Sequence, residues 1–309
     1  MVPPSPVIVP NTTVHERQPT NLTGRLVSTA VGIPIILFFV FVEGPPGLTL
    51  LPMTVGVAGC ALIGAWEYFH ATRQRGFQPS DRLAFLAIIF LQVAVWLSSI
   101  GRTPVFLPVL AGLLALSVVV HQVFRRSPDI LANIGITYLG IVYVGWLFSY
   151  LIFLRALPGT VAVPLGGLTL PETARGAWLV LYVMAVTWST DTGAFFIGQR
   201  WGKRLLAPLI SPAKTVEGAI GGWATGVLMS LAWGTWIGIP AVHCVVLGVL
   251  LGTLAHLGDL CESALKRELG VKDFGRLLPG MGGMLDRFDS IFFTAPVAYY
   301  YLALLYPPF

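Results

Sequence analysis

The sequence predicts an all-α protein, a polytopic integral membrane protein with about nine transmembrane helices and a cytoplasmic N-terminus. Of its 309 residues, 55% are hydrophobic and only 11% are charged, and the mean hydropathy is +0.79. A soluble domain carries about 25% charged residues, so this chain has less than half of the charge that a water-facing surface needs. The composition therefore excludes a soluble enzyme, a nucleic-acid-binding module and a disordered protein.

Nine apolar runs are long enough to cross a bilayer, which takes roughly 20 mostly apolar residues. Short turns at Gly101–Thr103 and Gly238–Pro240 separate the third run from the fourth and the seventh from the eighth, so the count is most sensitive to these two places. The runs cover residues 25–42, 47–69, 83–100, 104–124, 130–154, 176–198, 216–238, 240–257 and 288–306.

The Lys and Arg residues give an independent orientation, because they concentrate in the cytoplasmic loops of membrane proteins. If nine spans begin with the N-terminus inside, sixteen of the nineteen Lys and Arg residues lie in inside segments, and only Arg102, Arg155 and Arg175 lie outside. Residues 1–24 contain no apolar run, so we expect a short, mobile cytoplasmic tail there rather than a cleavable signal peptide.

The two halves of the chain differ in polarity. Residues 25–175 are predicted to form a transmembrane scaffold, in which Glu67 and His70 are the only polar pair near a span and are interpreted as lying at the membrane interface. From Thr187 onward, charged and glycine-rich stretches interrupt the apolar pattern. Residues 176–309 are therefore predicted to be the catalytic transmembrane region with its cytoplasmic loops.

The first polar feature of this second half is the motif WSTDTGA, which places Asp191 inside the sixth run. A carboxylate at membrane depth costs at least about 2.5 kcal/mol, so it usually faces a cavity, a cation or a partner. Asp191 is therefore a candidate functional residue. The alternative is a structural pairing of Asp191 with a loop Arg or Lys.

The second feature is the stretch SPAKTVEG. Ser211 followed by Pro212 predicts a helix start, and Lys214 in the first turn would suit that helix N-terminus to binding an anion. An ordinary capped membrane helix is the alternative. Three glycines follow at the four-residue spacing that allows close helix packing: Gly218, Gly222 and Gly226.

The third and densest feature runs from Gly258 to Ser290. Asp259, Glu262 and Lys266 share one face of a helix that we expect to stop at Gly270. Four glycines and a proline between positions 275 and 283 allow the backbone to fold tightly around a ligand.

Carboxylates are the hard oxygen ligands that Mg²⁺ selects, and Lys and Arg pair with phosphate oxygens. Glycine loops present backbone N–H groups to phosphates. Asp286 and Asp289 open the last span on one face, so the pattern predicts metal-assisted handling of a polyphosphate at a membrane surface. The alternative is a solvated loop with salt bridges such as Glu262 to Lys266. The predicted phosphate-binding residues are Ser211, Lys214, Lys266, Arg267, Lys272, Gly282, Gly283 and Arg287.

This stretch resembles the phosphatidate cytidylyltransferases, also called CDP-diacylglycerol synthases. Their signature, S-x-φ-K-R, four residues, K-D, a small residue, then P-x-H-G-G-φ-x-D-R-φ-D, is matched between Ser263 and Asp289 by SALKR, KDFG and PGMGGMLDRFD. The upstream WSTDTGAF and SPAKTVEG stretches also look like this family. Met281 stands where the signature has a histidine, so any role of that imidazole is absent here or performed elsewhere.

The resemblance implies that CTP and phosphatidate react to give CDP-diacylglycerol and pyrophosphate. It also implies Mg²⁺ bound by Asp259 and Asp286, a K⁺ ion alongside, and a homodimer. Glu262 and Asp289 are further candidate metal ligands. We expect an active site at the cytoplasmic face, on the inner membrane if the source is bacterial. The remaining predicted catalytic residues are Asp191, Lys214, Lys266 and Arg267.

Two other functions fit parts of the pattern. A CTP-dependent kinase of the polyprenol or dolichol type would transfer the γ-phosphate to an alcohol, but it needs a general base that the sequence does not obviously supply. An ion transporter would use Asp191, Asp259 and Asp286 as an ion path, but it leaves the Lys and Arg residues of the glycine loop without a role.

Overall fold

The computed structural model describes residues 22–102, 107–125, 128–159 and 175–306, and these ranges are mostly helical. The predicted tail, residues 1–24, lies outside the described residues except for its last three. The elements are α1 (Leu22–Phe41), α2 (Leu51–Gln74), α3 (Asp81–Ser99), α4 (Leu107–Arg125), α5 (Ile130–Leu139), α6 (Leu147–Ala156), α7 (Arg175–Trp201), β1 (Leu205–Ala207), β2 (Ser211–Thr215), α8 (Val216–Trp236), α9 (Ala241–Leu269), α10 (Leu285–Phe288) and α11 (Ile291–Tyr300). Two π-helical segments continue them: Gly140–Trp146 joins α5 to α6, and Tyr301–Leu305 extends α11.

The prediction of a mostly helical chain with several candidate membrane spans is confirmed. Five helices of the described ranges are long and apolar enough to cross a membrane, and two shorter helices are also apolar. The long helices are Thr23–Phe41, Asp81–Ser99, Ile130–Ala156, Arg175–Trp201 and Ala241–Leu269. Each of the nine predicted runs coincides with a helix, but α2 and α8 contain many Gly, Thr, Trp or polar residues and fall outside these five. The count of nine spans therefore stays a prediction.

Helices α7, α8 and α9 pack closely through glycines. A methyl group built at Gly222 of α8 would lie 2.8 Å from the carbonyl oxygen of Thr190 on α7, and one at Gly248 of α9 would lie 2.7 Å from the Cα of Val227 on α8. Only glycine allows backbones to approach so closely, as the four-residue spacing predicts. This packing fixes the relative positions of Asp191 on α7 and Asp259 on α9.

Aromatic side chains form another part of the core, where the N-terminal helices contact the residues around the start of α11. The ring of Phe148 on α6 lies 5.0 Å from Phe288 and 5.3 Å from Phe292, and Tyr143 lies 4.8 Å from Phe292. These edge and tilted contacts are the favoured geometries of aromatic pairs. They hold the N-terminal helices against the segment that carries the acids near position 289.

The predicted helix start at Ser211 is wrong. Residues 211–215 form strand β2, which pairs with β1 in an antiparallel hairpin, and α8 begins at Val216. Thr215 is the N-cap, and its hydroxyl accepts the N–H of Gly218 at 3.1 Å. Pro212 is tolerated because the hairpin has only edge strands. Lys214 therefore precedes the helix instead of lying in its first turn.

The hairpin is fixed to α8 by Glu217. Its carboxylate accepts the N–H groups of Lys203 at 2.9 Å and Arg204 at 3.1 Å, and the Arg204 guanidinium pairs with it at 3.0 Å. At the other boundary, α9 ends at Gly270, whose φ of 70° closes the helix as predicted. The hairpin and the end of α9 thus frame one end of the helical bundle.

Candidate active site

Three carboxylates form the acid cluster, defined as Asp259 and Glu262 of α9 and Asp289 before α11. Each can offer one oxygen that lies within 4.8 Å of the others. Among the described residues, this is the only such group of three or more His, Cys, Asp or Glu side chains. Glu262 is 1% exposed, and its Oε1 has no hydrogen-bond partner. A hard, negatively charged donor set with a buried unpaired oxygen suits a divalent cation such as Mg²⁺.

Two lysines flank the acid cluster. Lys214 of the hairpin places Nζ 2.6 Å from Oδ2 of Asp259. Lys266 bridges two acids, with Nζ 2.8 Å from Oε2 of Glu262 and 3.1 Å from Oδ1 of Asp286. The Glu262–Lys266 contact expected of a solvated loop is therefore present, but both acids of the bridge are buried. Isolated charges would be costly there, so the charges compensate one another.

Asp286 closes the loop between α9 and α10. Its carboxylate accepts the N–H of Gly283 at 2.8 Å and the N–H of Phe274 at 3.1 Å, in addition to the Lys266 ammonium. Burial disfavours the charged form, but the nearby Lys266 charge and the N–H of Gly283 outweigh it and lower the pKa of Asp286 below its ordinary value. Asp286 is thus connected to the acid cluster through Lys266, which pairs with both Asp286 and Glu262.

The glycine loop, residues 275–283, is a tight turn that rests on α1. Gly280 and Gly282 adopt φ of 73° and 87°, which favours glycine. The Arg25 guanidinium donates to the carbonyl of Gly280 at 3.0 Å, and the hydroxyl of Thr29 lies 3.8 Å from the sulfur of Met281. The residue that replaces the signature histidine therefore contacts the first helix.

Glu67 of α2 is a site residue that sequence reasoning missed. Its interpretation as lying at the membrane interface stays a prediction, but it is fully buried inside the protein, and its carboxylate accepts the N–H groups of Met284 at 3.0 Å and Leu285 at 2.9 Å. A methyl group at Gly275 or Gly283 would collide with this carboxylate. The insertion cost that singled out Asp191 could also have singled out Glu67.

His70, the partner of Glu67 in that interpretation, is exposed. Its ring stacks on Trp66 with the centroids 5.3 Å apart, and its Nε2 lies 3.0 Å from Nε2 of Gln74. Among the described residues, it makes no hydrogen bond, ion pair or ring contact with the acid cluster or the glycine loop. Glu67 and His70 therefore have different environments although both lie on α2.

A cavity of about 390 Å³ opens beside the acid cluster. Asp191, Ser211, Lys214 and Asp259 line it, so the fold brings together predicted residues from α7, the hairpin and α9. A mixed lining of carboxylate, hydroxyl and ammonium groups suits a polar, charged ligand. The catalytic roles of these residues stay predictions.

His256 also lines this cavity. Its Nε2 lies 3.1 Å from the carbonyl oxygen of Ala219. Since a carbonyl can only accept, Nε2 carries a proton, and Nδ1 is left as the nitrogen that can accept. His256 is the histidine closest in sequence to the acids, and the structure gives it a bond to α8.

The remaining Lys and Arg residues that were predicted to bind phosphate lie at the edge of the site. Arg267 is exposed and its Nε donates to the carbonyl of Ile210 in the hairpin turn at 3.4 Å. Lys272 and Arg287 are exposed, and their side chains make no hydrogen bond or ion pair with other described residues. The N–H of Gly283 is already donated to Asp286. The predicted phosphate-binding roles of these residues, and of Gly282, remain untested.

Comparison with known proteins gives a consistent result. The profile of the Cytidylyltransferase family matches residues 23–305. The phosphatidate cytidylyltransferase of Synechocystis sp. is 32% identical over 303 residues, which cover 92% of this chain and 98% of the relative. That of Bacillus subtilis is 32% identical over 89% of this chain and 96% of its own length. A Staphylococcus aureus phosphatidate cytidylyltransferase is 42% identical over 153 residues, 48% of this chain and 59% of the relative.

Proposed function

The chain belongs to the cytidylyltransferase family, and from this membership we propose that it is a phosphatidate cytidylyltransferase, which converts CTP and phosphatidate to CDP-diacylglycerol and pyrophosphate. The observation that carries the proposal is the acid cluster flanked by Lys214 and Lys266. Opposite charges held together beside a cavity suit the joining of two phosphate-bearing molecules. The relatives that extend over nearly the whole chain bear this enzyme name.

In the proposed reaction, a phosphate oxygen of phosphatidate attacks the α-phosphorus of CTP. A bond forms between that oxygen and the α-phosphorus, and the bond to the β-phosphate breaks and releases pyrophosphate. A phosphomonoester has a second pKa of about 6, so the attacking oxygen is already an anion near neutral pH. No strong base is then required, which accounts for the tolerance of Met281 at the histidine position.

We propose that Asp259, Glu262 and Asp289 hold a Mg²⁺ ion. Such an ion neutralises phosphate charge and aligns the two reactants when it is bound. Asp286, the second ligand implied by family resemblance, would have to exchange the Lys266 ammonium for the metal. The K⁺ ion implied by the same resemblance stays a proposal without an assigned ligand set.

The chain's own cations would reduce the repulsion between two anionic substrates. Lys214 faces the cavity beside Asp259, and Lys266 lies between Glu262 and Asp286. We propose that Lys214 contacts the phosphates of CTP, because the cavity that it lines is bounded by the hairpin and also contains carboxylate and hydroxyl groups. Asp191 and Ser211 would orient the nucleotide there.

We also propose that this end of the bundle faces the cytoplasm. The N-terminal end of α1, the hairpin and the 271–290 loop meet there, and each is an inside segment in the nine-span arrangement. Residues 25–175 would then act as the scaffold and residues 176–309 as the catalytic region. A multi-pass location in the cytoplasmic membrane and a homodimer belong to the same proposal.

Radiolabelled CTP tests the reaction directly. Purified protein in detergent is given phosphatidate, Mg²⁺ and CTP labelled on either the α- or the γ-phosphate. We expect only the α-label in lipid, and EDTA should abolish its transfer until Mg²⁺ is restored. Transfer of the γ-label to a lipid alcohol, with the α-label in CDP, would identify a kinase. No CTP turnover, together with ion flux after reconstitution into lipid vesicles, would favour the transporter.

A substitution tests the acidic site within the same assay. Asp286→Asn keeps the size of the side chain but removes the charge opposite Lys266, so we expect loss of lipid product with the protein still folded. Glu268→Gln, at an exposed acid of α9 just before the loop, is the control. Retained activity of Asp286→Asn would remove Asp286 from the reaction.

A further inference from the structure

Tyr143 lies in the π-helical segment Gly140–Trp146, in the half of the chain predicted to be scaffold. It is 4% exposed, and its ring lies 4.8 Å from Phe292 and 6.1 Å from Phe293. These two residues follow closely after Asp289 of the acid cluster. Tyr143 is therefore one of the residues through which the N-terminal helices contact the catalytic segment.

The hydroxyl of Tyr143 has no hydrogen-bond partner although it is buried, and it is the only buried tyrosine hydroxyl of the described residues in this state. Other tyrosines at comparable depth are paired: Tyr68 donates to the carbonyl of Ile136, and Tyr182 bonds the hydroxyl of Ser230. A buried, unpaired hydroxyl destabilises the folded chain, because it has lost its hydrogen bonds to water. An unpaired group of this kind in a native fold points to a partner that is not part of the chain.

The electrostatic surroundings of the phenol indicate where that partner would lie. Glu262, Asp289 and Asp259, the whole acid cluster, all interact with it electrostatically. Glu262 also has an unpaired oxygen, Oε1. The Tyr143 hydroxyl is thus an unpaired donor and Oε1 of Glu262 an unpaired acceptor, on two buried side chains that interact electrostatically. A cation would satisfy the carboxylate, and an oxygen anion bound to that cation would satisfy the hydroxyl.

The π-helical segment affects the direction of the Tyr143 side chain. One extra residue in a helical turn rotates the following side chains by about 100° relative to a continuous α-helix. Single π-turns inside α-helices are frequent at functional sites. Here Gly140 begins the segment and Gly145 lies near its end, and they let Phe69 and Ile88 approach it closely.

We propose that the hydroxyl of Tyr143 donates a hydrogen bond to a phosphate oxygen of the substrate held at the acid cluster. The inference rests on the proposed function and adds a phosphate-binding residue from the N-terminal half. The phosphate belongs either to the lipid or to the nucleotide. A hydrogen bond to a charged group is worth about 1.5–3 kcal/mol, which corresponds to a roughly 10- to 100-fold effect on the kinetic constant it supports.

The test compares Tyr143→Phe with Tyr150→Phe in the full-length protein. Tyr150 lies two turns further along, and its hydroxyl is paired with that of Tyr300 at 2.8 Å. We expect kcat/KM of Tyr143→Phe to fall about 10- to 100-fold, with unchanged or higher thermal stability because an unpaired hydroxyl has been removed. Tyr150→Phe should keep its kcat/KM and lose stability.

The separate KM values for CTP and phosphatidate identify the source of the phosphate, since only the constant of the contacted substrate, or kcat alone, should change. Equilibrium binding of radiolabelled CTP and of phosphatidate supplies a readout that does not need turnover. Unchanged kinetics and binding in Tyr143→Phe, or a loss of stability with no loss of binding, would overturn the inference. A wild-type protein without turnover would instead refute the proposed function, and binding would still decide the role of Tyr143.

Discussion

In α7, α8 and α9, the obstacle to an added methyl group at several glycines is the backbone of the neighbouring helix, as at Gly218, Gly222 and Gly248. In α2 to α6, the glycines either face open space, as at Gly135, or meet the ends of side chains, as at Gly140 against Phe69. The first arrangement permits little relative movement, whereas side chains can adjust.

The two regions therefore contribute to the site in different ways. The closely packed helices hold charged groups at fixed separations, so Asp259 and Lys214 meet although they lie on different elements. The helices α2 to α6 contribute single polar side chains that reach the other half of the chain. Glu67 is the clearest example, because its carboxylate accepts a backbone N–H from a residue 217 positions later. A site can thus depend on a half whose sequence is nearly all apolar.

The largest expected effect follows from removing an acid of the closely packed half. Asp259→Asn should reduce kcat/KM about 1,000-fold or more, equivalent to roughly 4 kcal/mol of transition-state stabilisation, because a ligand of the proposed cation and the partner of Lys214 are lost together. Steady-state kinetics measure it. Glu268→Gln, an exposed acid on the same helix, is the control and should retain full activity. Near-normal activity of Asp259→Asn would move the catalytic centre elsewhere.

A smaller effect is expected from the helices α2 to α6. Glu67→Gln presents an amide group where two N–H groups need acceptors, so the loop before α10 should loosen and activity should fall about 10- to 100-fold, with a lower melting temperature. Assays and thermal unfolding on the same preparation measure both. Glu43→Gln, at the acid that pairs with Arg155 at 3.0 Å, controls for loss of a carboxylate away from the site. Equal effects of the two variants would show that Glu67 has no special link to catalysis.

The smallest effect concerns the helix packing itself. Gly222→Ala must displace either the Thr190 carbonyl or the His256 ring and should destabilise the protein by about 1–3 kcal/mol. Gly135→Ala meets no neighbour and should stabilise α5 by about 0.5–1 kcal/mol. Thermal unfolding in detergent compares them. The contrast between the two halves would fail if both substitutions shifted the melting temperature in the same direction.

Local sequence was sufficient for several features. Apolar runs and low charge predicted a helical membrane chain, since hydropathy and periodicity are properties of contiguous residues. The spacing of Asp259, Glu262 and Lys266 predicted that they share a helix face, and Gly270 predicted the end of that helix. Both follow from backbone geometry over a few turns.

Tertiary packing decided the rest. Ser211 and Pro212 have the local chemistry of a helix start, yet pairing with β1 placed them in a strand and left Thr215 as the cap. Glu67 and Tyr143 are single polar groups in apolar helices, and no local pattern states which distant segment they meet. Their partners are set by how whole helices pack across the bundle. These contacts join residues more than a hundred positions apart, and short-range periodicity does not encode them.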